Sequence, residues 1–305
     1  QWIESCLPDD GGAVTRHFEG NAVAHGRSPA SVSYRALLRD AGPITRRHRV
    51  LLSLAVNLSR SARSIRAAGG RDAGVAAVLG REVVALCRAL DAADIEVDGV
   101  LGPGGLARCL RDAVARTTVE HDPGEETQAD ERAPSRWPWP MAVRPEWDVV
   151  RTDETWHATY WIAEWPRVEV TADFLGPLLL APVRRSIALV MEPVSPSRAA
   201  RQVARARTAD IADGELRRRG GFLTNARQHR ERHSVEERDA ELADGHGQFR
   251  FVGYVTLTAG SRYELDAATV DLEQLAGQSH VELRRLFGEQ DVAFACSLPI
   301  GRGLA

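Results

Sequence analysis

The sequence predicts an α+β fold of two halves, and three observations carry that prediction. Strand-like apolar runs alternate with helix-period stretches along the whole chain. Six of the seven Trp fall within residues 137–170 of a 305-residue chain, and each Trp can bury about 150–250 Å². A stretch without periodicity, rich in Asp, Glu, Thr, Gly and Pro, lies between 117 and 136 and reads as a solvated linker. The expected organisation is an N-terminal α+β domain over 1–117, a linker over 118–136 and a C-terminal α+β domain over 137–305. Each half is expected to be ferredoxin-like, and the second is expected to carry a protruding two-helix hairpin over 197–245.

Taken in order, residues 2–7 form an apolar strand ended by Pro8 and a turn cluster from Asp9 to Gly12. Tyr34, Leu37 and Leu38 give 33–40 a helical spacing, and Leu52, Leu54, Val56 and Leu58 give 49–58 the alternation of a strand. Val75, Val78, Leu79, Val83, Leu86, Cys87 and Leu90 define a strongly amphipathic helix. Residues 95–101 return as a strand, Gly102-Pro103-Gly104-Gly105 turns the chain, and 106–114 makes another helix. The first half therefore reads βαβα.

In the second half, 156–165 is aromatic, β-branched or small up to Pro166, which predicts a strand buried on both faces. Trp156, Trp161 and Trp165 are its expected core aromatics, and Glu164 is its one carboxylate. A short helix over 174–180 and a strand over 186–190 follow. Residues 195–246 are dense in Ala, Arg and Glu and split by Gly220-Gly221, which reads as two helices of about 20 residues with one narrow apolar stripe. The last elements expected are a strand over 249–259, a helix over 263–276, and strands over 281–286 and 292–298 joined by a turn at Gly288-Glu289-Gln290.

Composition narrows the function classes. The formal net charge is −3, so no global field draws the chain onto nucleic acid or anionic lipid. All 39 basic residues are Arg, which removes a phosphate-loop lysine, a Schiff-base lysine and a lysine general base. Cys6, Cys87, Cys109 and Cys296 lie far apart without CxxC spacing and read as buried free thiols. No run of apolar residues is long enough to span a bilayer. The opening on Gln1 and an apolar strand suggests a piece excised from a longer protein.

Candidate sites are few. His229 and His233 stand at i and i+4 with Glu237 a turn on, but Arg230 and Arg232 beside them oppose a cation and the HExxH glutamate is missing. A solvated helix face is the expectation there, and no metal or cofactor is expected anywhere. The glycine turn at 102–105 matches neither phosphate-loop pattern. Glu164 could serve a hydrolase as a buried acid in an aromatic pocket, although a buried partner for an arginine is the plainer reading. The least bland feature is the hairpin, with ten Arg against four acids between 197 and 232. Its candidate docking residues are Arg217, Arg218, Arg219, Phe222, Arg227 and Arg230. A protein partner fits better than nucleic acid, because one aromatic leaves little for base stacking.

Several stretches together resemble a known family: WPWPMAVRPEWDVVRTDETWHATYWIAEWPRVEV, FLGPLLL, RSIALVMEPVSPSRAAR, ELRRRGGF, ERDAELADGHGQFRFVGYVTLTA and ELRRLFGEQ, with QWIESCLPDDGG and SYRALL earlier. They run in the order found in an actinobacterial family of membrane-anchored proteins encoded beside conjugation-type ATPases. Its cytoplasmic domains are similar to the non-motor N-terminal part of TraC-class type IV secretion ATPases, preceded by a VirB/PrgI-type membrane segment. The resemblance implies a non-enzymatic platform at the cytoplasmic face of the cell membrane. It further implies a TraC-class ATPase partner on a separate chain, membrane attachment through an N-terminal segment missing here, and homo-oligomerisation as an option. Nucleic acid bound by the hairpin is the rival reading, and the hydrolase with Glu164 is a second one.

Overall fold

The computed structural model describes residues 1–8, 18, 28–40, 46–115, 139–181, 183–220, 237 and 239–304, with the side chains of 38–40, 46–47, 207 and 210–220 outside that description. Strands β1 (Trp2–Pro8), β2 (Arg46–Leu52), β3 (Arg144–Pro145), β4 (Val150–Arg151), β5 (Trp156–Glu164), β6 (Arg185–Pro193), β7 (Phe249–Ala259) and β8 (Glu282–Arg285) join one sheet. Its order is β2-β1-β6-β7-β5-β4-β3, with β8 also on β5. The pairs β1–β2, β1–β6, β3–β4, β4–β5, β5–β7 and β5–β8 are antiparallel. The helices are α1 (Pro29–Asp40), α2 (Ala62–Ala67), α3 (Arg71–Asp91), α4 (Pro103–Val114), α5 (Gly176–Leu179), α6 (Pro196–Gly220), α7 (Arg262–Gln278) and α8 (Gln290–Cys296). The chain is thus α+β.

The strand pairing departs from two separate halves. β1 and β2 have no sheet of their own, because Trp2 to Cys6 align with Leu189 to Arg185 of β6. By contacts the chain divides into one unit of Gln1–Val190 with Gly253–Gly303 and another of Met191–Val252. The expected linker, 118–136, lies outside the described residues. Residues 95–101 form no strand and are exposed throughout, so the βαβα unit lacks its second strand and ferredoxin-like halves are not confirmed. The strand expected over 49–58 is β2, which ends at Leu52. The last strand expected, 292–298, is helix α8: Gln290, Ala293, Phe294 and Ser297 are buried at i, i+3, i+4 and i+7, which is helical spacing.

Both sheet faces of the first unit are covered. On one face Ala158, Tyr160 and Ile162 of β5, Val255 and Leu257 of β7 and Ile187 of β6 pack with Leu265, Leu272 and Ala276 of α7 and Leu178 of α5. On the other, Val150 packs with Leu110 of α4 and with Phe294 and Leu298. Period-2 alternation explains this, since successive β5 residues serve opposite cores. α7 begins at Ser261, whose hydroxyl accepts from the amide of Glu264 while the Glu264 carboxylate accepts from the amide of Gly260, close to a capping box.

The Trp-rich segment only partly nucleates the core. Trp156 and Trp165 pack against it together with Trp2. Trp139, Trp147 and Trp161 are exposed, and Trp137 lies outside the described residues. Trp147 instead stacks on Phe287 at the surface, 6.3 Å between ring centroids.

In the second unit, the outer ends of β6 and β7 are joined by the Arg250–Glu192 ion pair at 2.5 Å and by the amide of Val194 donating to the carbonyl of Gln248. α6 follows, and a helical segment returns at 239–243. Among the described side chains of α6 only Ala199 and Val203 are fully buried, matching the narrow stripe that the sequence predicts. Among the described residues no helix is long and apolar enough to cross a membrane.

Candidate functional site

The polar chemistry of the first unit is concentrated beneath α4 and α8. The strands that supply it carry polar side chains at every second position on this face: Thr155 just before β5, His157 and Thr159 along it, and Thr256 and Thr258 on β7. The β5–β7 register sets His157 opposite Thr258 and Thr159 opposite Thr256. The last two share a hydroxyl–hydroxyl bond of 2.9 Å.

His157 is fully buried. Its Nε2 lies 2.9 Å from Thr155 Oγ1 and 3.1 Å from Thr152 Oγ1, and its Nδ1 lies 2.9 Å from Thr258 Oγ1. Thr155 gives its own hydroxyl proton to the carbonyl of Val114 at the end of α4, so Thr155 accepts from a protonated Nε2 while Thr258 donates to Nδ1. That tautomer is neutral. Burial, with the Arg184 cation as a second cause, pushes the imidazole pKa down to about 3. Phe294 of α8 covers the ring, with centroids 4.2 Å apart. A histidine with both nitrogens engaged and a low pKa has no free position for proton transfer to a substrate.

α8 is fastened over this face by Gln290. Its Oε1 accepts from the amide of Thr159 at 2.8 Å, and its Nε2 donates to the carbonyls of Thr159 and Leu286 at 3.1 and 2.9 Å. The side-chain amide thus continues the ladder where β8 has ended.

Beside His157 lies a cavity of about 40 Å³, lined by Arg49, Cys109, Asp112, Arg184, Thr258 and Phe294 among others. That volume has room for about two or three waters. Arg49 donates to Asp112 Oδ2 at 2.9 Å and to Cys109 Sγ at 3.5 Å. Arg184 donates to the carbonyls of Asp112 and Ala115, a cation seated on the last turn of α4 where the helix dipole favours it. Burial lowers its pKa to about 10, so it stays charged at neutral pH. Burial also raises the Cys109 thiol above its ordinary value, opposed by Arg49, and keeps it protonated. It is therefore a poor nucleophile. The expectation for the cysteines fits: Cys6, Cys109 and Cys296 are buried and free, and Cys87 is half-buried and free.

On the opposite face, Glu4 and Arg185 form a buried ion pair at 3.6 Å, with His48 Nδ1 2.6 Å from the other Glu4 oxygen. Arg185 donates to the carbonyls of Leu179 and Ala181 after α5. It is a structural clamp.

Glu164 is not the buried acid expected from the sequence. Its side chain is 41% exposed and pairs with Arg167 at 2.7 Å; the strand ends here, and Pro166 turns the chain toward solvent. Glu282 stands opposite it in the β5–β8 register, so a second carboxylate is near, but that one is half-exposed and paired with Arg284. Both acids sit at the surface and are paired with arginines, so neither is the buried acid that the hydrolase reading needs.

Of the docking residues, Arg217, Arg218 and Arg219 fall in the last turn of α6, their side chains outside the description. Phe222, Arg227 and Arg230 lie outside the described residues, as do His229 and His233. Gly102-Pro103-Gly104-Gly105 is the plain start of α4, with Gly104 and Gly105 buried. Among the described residues no three His, Cys, Asp or Glu gather as metal ligands. What sequence reading missed is the Thr–His cluster, and its signal was the period-2 run of hydroxyls on strands otherwise apolar. No protein-family model and no curated protein matches this sequence.

Proposed function

We propose that this chain is a non-enzymatic platform component of a type IV secretion or conjugation-like machine, docking a separate TraC-class motor ATPase at the cytoplasmic face of the cell membrane. The resemblance of the quoted stretches motivates the machine and the partner. The observation that carries the reading is α6, which has 25 residues, about 37 Å at 1.5 Å per residue. Its described side chains bury only Ala199 and Val203. A long helix whose described side chains are so little buried leaves surface for a partner. The interior adds support by contrast, because the His157, Cys109, Arg49 and Arg184 groups are engaged with one another, with nearby hydroxyls or with backbone carbonyls.

The arm we propose is the hairpin expected over 197–245, with Arg217, Arg218 and Arg219 in the last turn of α6. Replacing all three by Ser tests the assignment. The triple variant should keep its helical circular-dichroism signal while its affinity for the ATPase falls. If ATPase binding is normal and a salt-sensitive affinity for DNA is lost instead, the hairpin is a nucleic-acid arm and the docking reading fails.

A further inference from the structure

Two features of the first unit that the motor-docking reading leaves unused are complementary. Among the described residues β2 is the terminal strand of the sheet, and β1 is its one strand neighbour. Gln1 and Ser53 exchange both backbone hydrogen bonds, so in an antiparallel ladder residues 47, 49, 51 and 53 bond inward to β1. The N–H and C=O groups of Arg46, His48, Val50 and Leu52 therefore point to the open edge. Val50 and Leu52 are exposed at 56% and 45%.

The second feature is the stretch 95–101, between α3 and α4. It has strand-like alternation yet joins no sheet. Ile95 closes the end of α3 by donating to the carbonyl of Leu90, and beyond it, among the described residues, 96–101 make no backbone hydrogen bond. Ile95, Val97, Val100 and Leu101 are all exposed, Val100 at 65%. Seven residues here match the seven of β2, about 23 Å each at 3.3 Å per residue.

Charge selects the pairing. Asp91, Asp94, Glu96 and Asp98 crowd this stretch, with no basic residue between Arg88 and Arg108. β2 carries Arg46, Arg47, His48 and Arg49, and no acid occurs between Asp40 and Asp72. His48 and Arg49 already bond to Glu4 and Asp112, and Arg46 and Arg47 add two further positive charges to the strand.

We propose that residues 95–101 of one copy add as a strand to the open edge of β2 in a second copy, giving head-to-tail self-association. Main-chain bonds supply the affinity, as in other strand additions, and the acidic-to-basic match supplies the choice of partner. The contact is heterologous, so it leaves one free edge and one free segment at the ends and builds rings or filaments rather than closed dimers.

Sedimentation of the 305-residue chain between about 1 and 100 µM tests this. The intact chain should grow in mass with concentration. Val50→Pro removes an outward N–H without touching the β1 ladder, which an edge strand tolerates. The double change Val97→Pro/Asp98→Pro removes donors from the segment, and Glu96→Arg/Asp98→Arg reverses its charge at exposed positions, so folding is safe in at least one segment variant. Each variant alone should associate at least about tenfold more weakly, the equivalent of one lost edge contact. Mixed together, the edge variant and a segment variant should form capped 1:1 dimers, since each retains the half that the other lacks. A chain that stays monomeric throughout, variants that associate like the intact chain, or a mixture that stays monomeric would each overturn the proposal.

Discussion

Acid should destabilise this fold through His157, and replacing that residue should remove the effect. The folded chain holds the imidazole neutral at a pKa of about 3, whereas in the unfolded chain it returns to about 6.5. Between those values the unfolded chain binds a proton that the folded chain does not. Stability from the neutral site is therefore full above about pH 6.5 and is lost as pH falls toward 3. From pH 8 to pH 5 the unfolded-state proton costs about 1.5 pKa units, or about 2 kcal/mol. His157→Gln keeps a donor and an acceptor but cannot charge. It should lower stability at pH 8 through the lost stack on Phe294, yet lose about 2 kcal/mol less than the parent between pH 8 and pH 5. Urea unfolding followed by circular dichroism at both pH values measures the difference, and contributions from other titrating groups cancel in the comparison. Equal pH losses in parent and variant would refute the buried neutral histidine and the network assigned to it.

Three further outcomes follow from the packing. Gly74→Ala would ordinarily gain about 1 kcal/mol inside a helix, but here the new Cβ meets the carbonyl oxygen of Ile65 at 2.3 Å. The change should therefore destabilise by about 1–3 kcal/mol, and a rise in the urea midpoint would contradict it. Gln290→Ala strands the amide of Thr159 under α8, whose carbonyl keeps the amide of Leu286, and should cost about 1–3 kcal/mol, with faster hydrogen exchange at Thr159 as the local readout. Arg185→Met leaves buried Glu4 with His48 alone beside it and should destabilise the fold, much of the loss recovered when Glu4→Gln is added; a double variant as unstable as the single one would show that the clamp acts through the α5 carbonyls instead.

Elements whose periodicity answers to burial were legible in the sequence, among them α3, α4, α7, β5, β6 and β7. Residues 95–101 misled because alternation reports a strand's chemistry and not whether a neighbour exists to pair with it. α8 misled for the opposite reason: the β-branched and aromatic residues of VAFACSL suit a strand, while burial at 290, 293, 294 and 297 obeys a helix. The pairing of β1 with β6, across about 180 residues, is a non-local choice that no local pattern encodes. Glu164 misled because it closes its strand, where the chain turns outward and Arg167 can reach it. The Thr–His cluster was partly legible, since polar residues at every second position of a strand expected to be buried on both faces must satisfy one another. Which hydroxyl meets which nitrogen depends on the β5–β7 register and on the end of α4.

If this chain holds a motor, as we propose, rather than acting as one, calorimetry of the 305-residue chain against two titrants tests it directly. Saturable binding of a TraC-class ATPase and no binding heat with magnesium ATP are expected. Micromolar affinity for the nucleotide by this chain alone would contradict it.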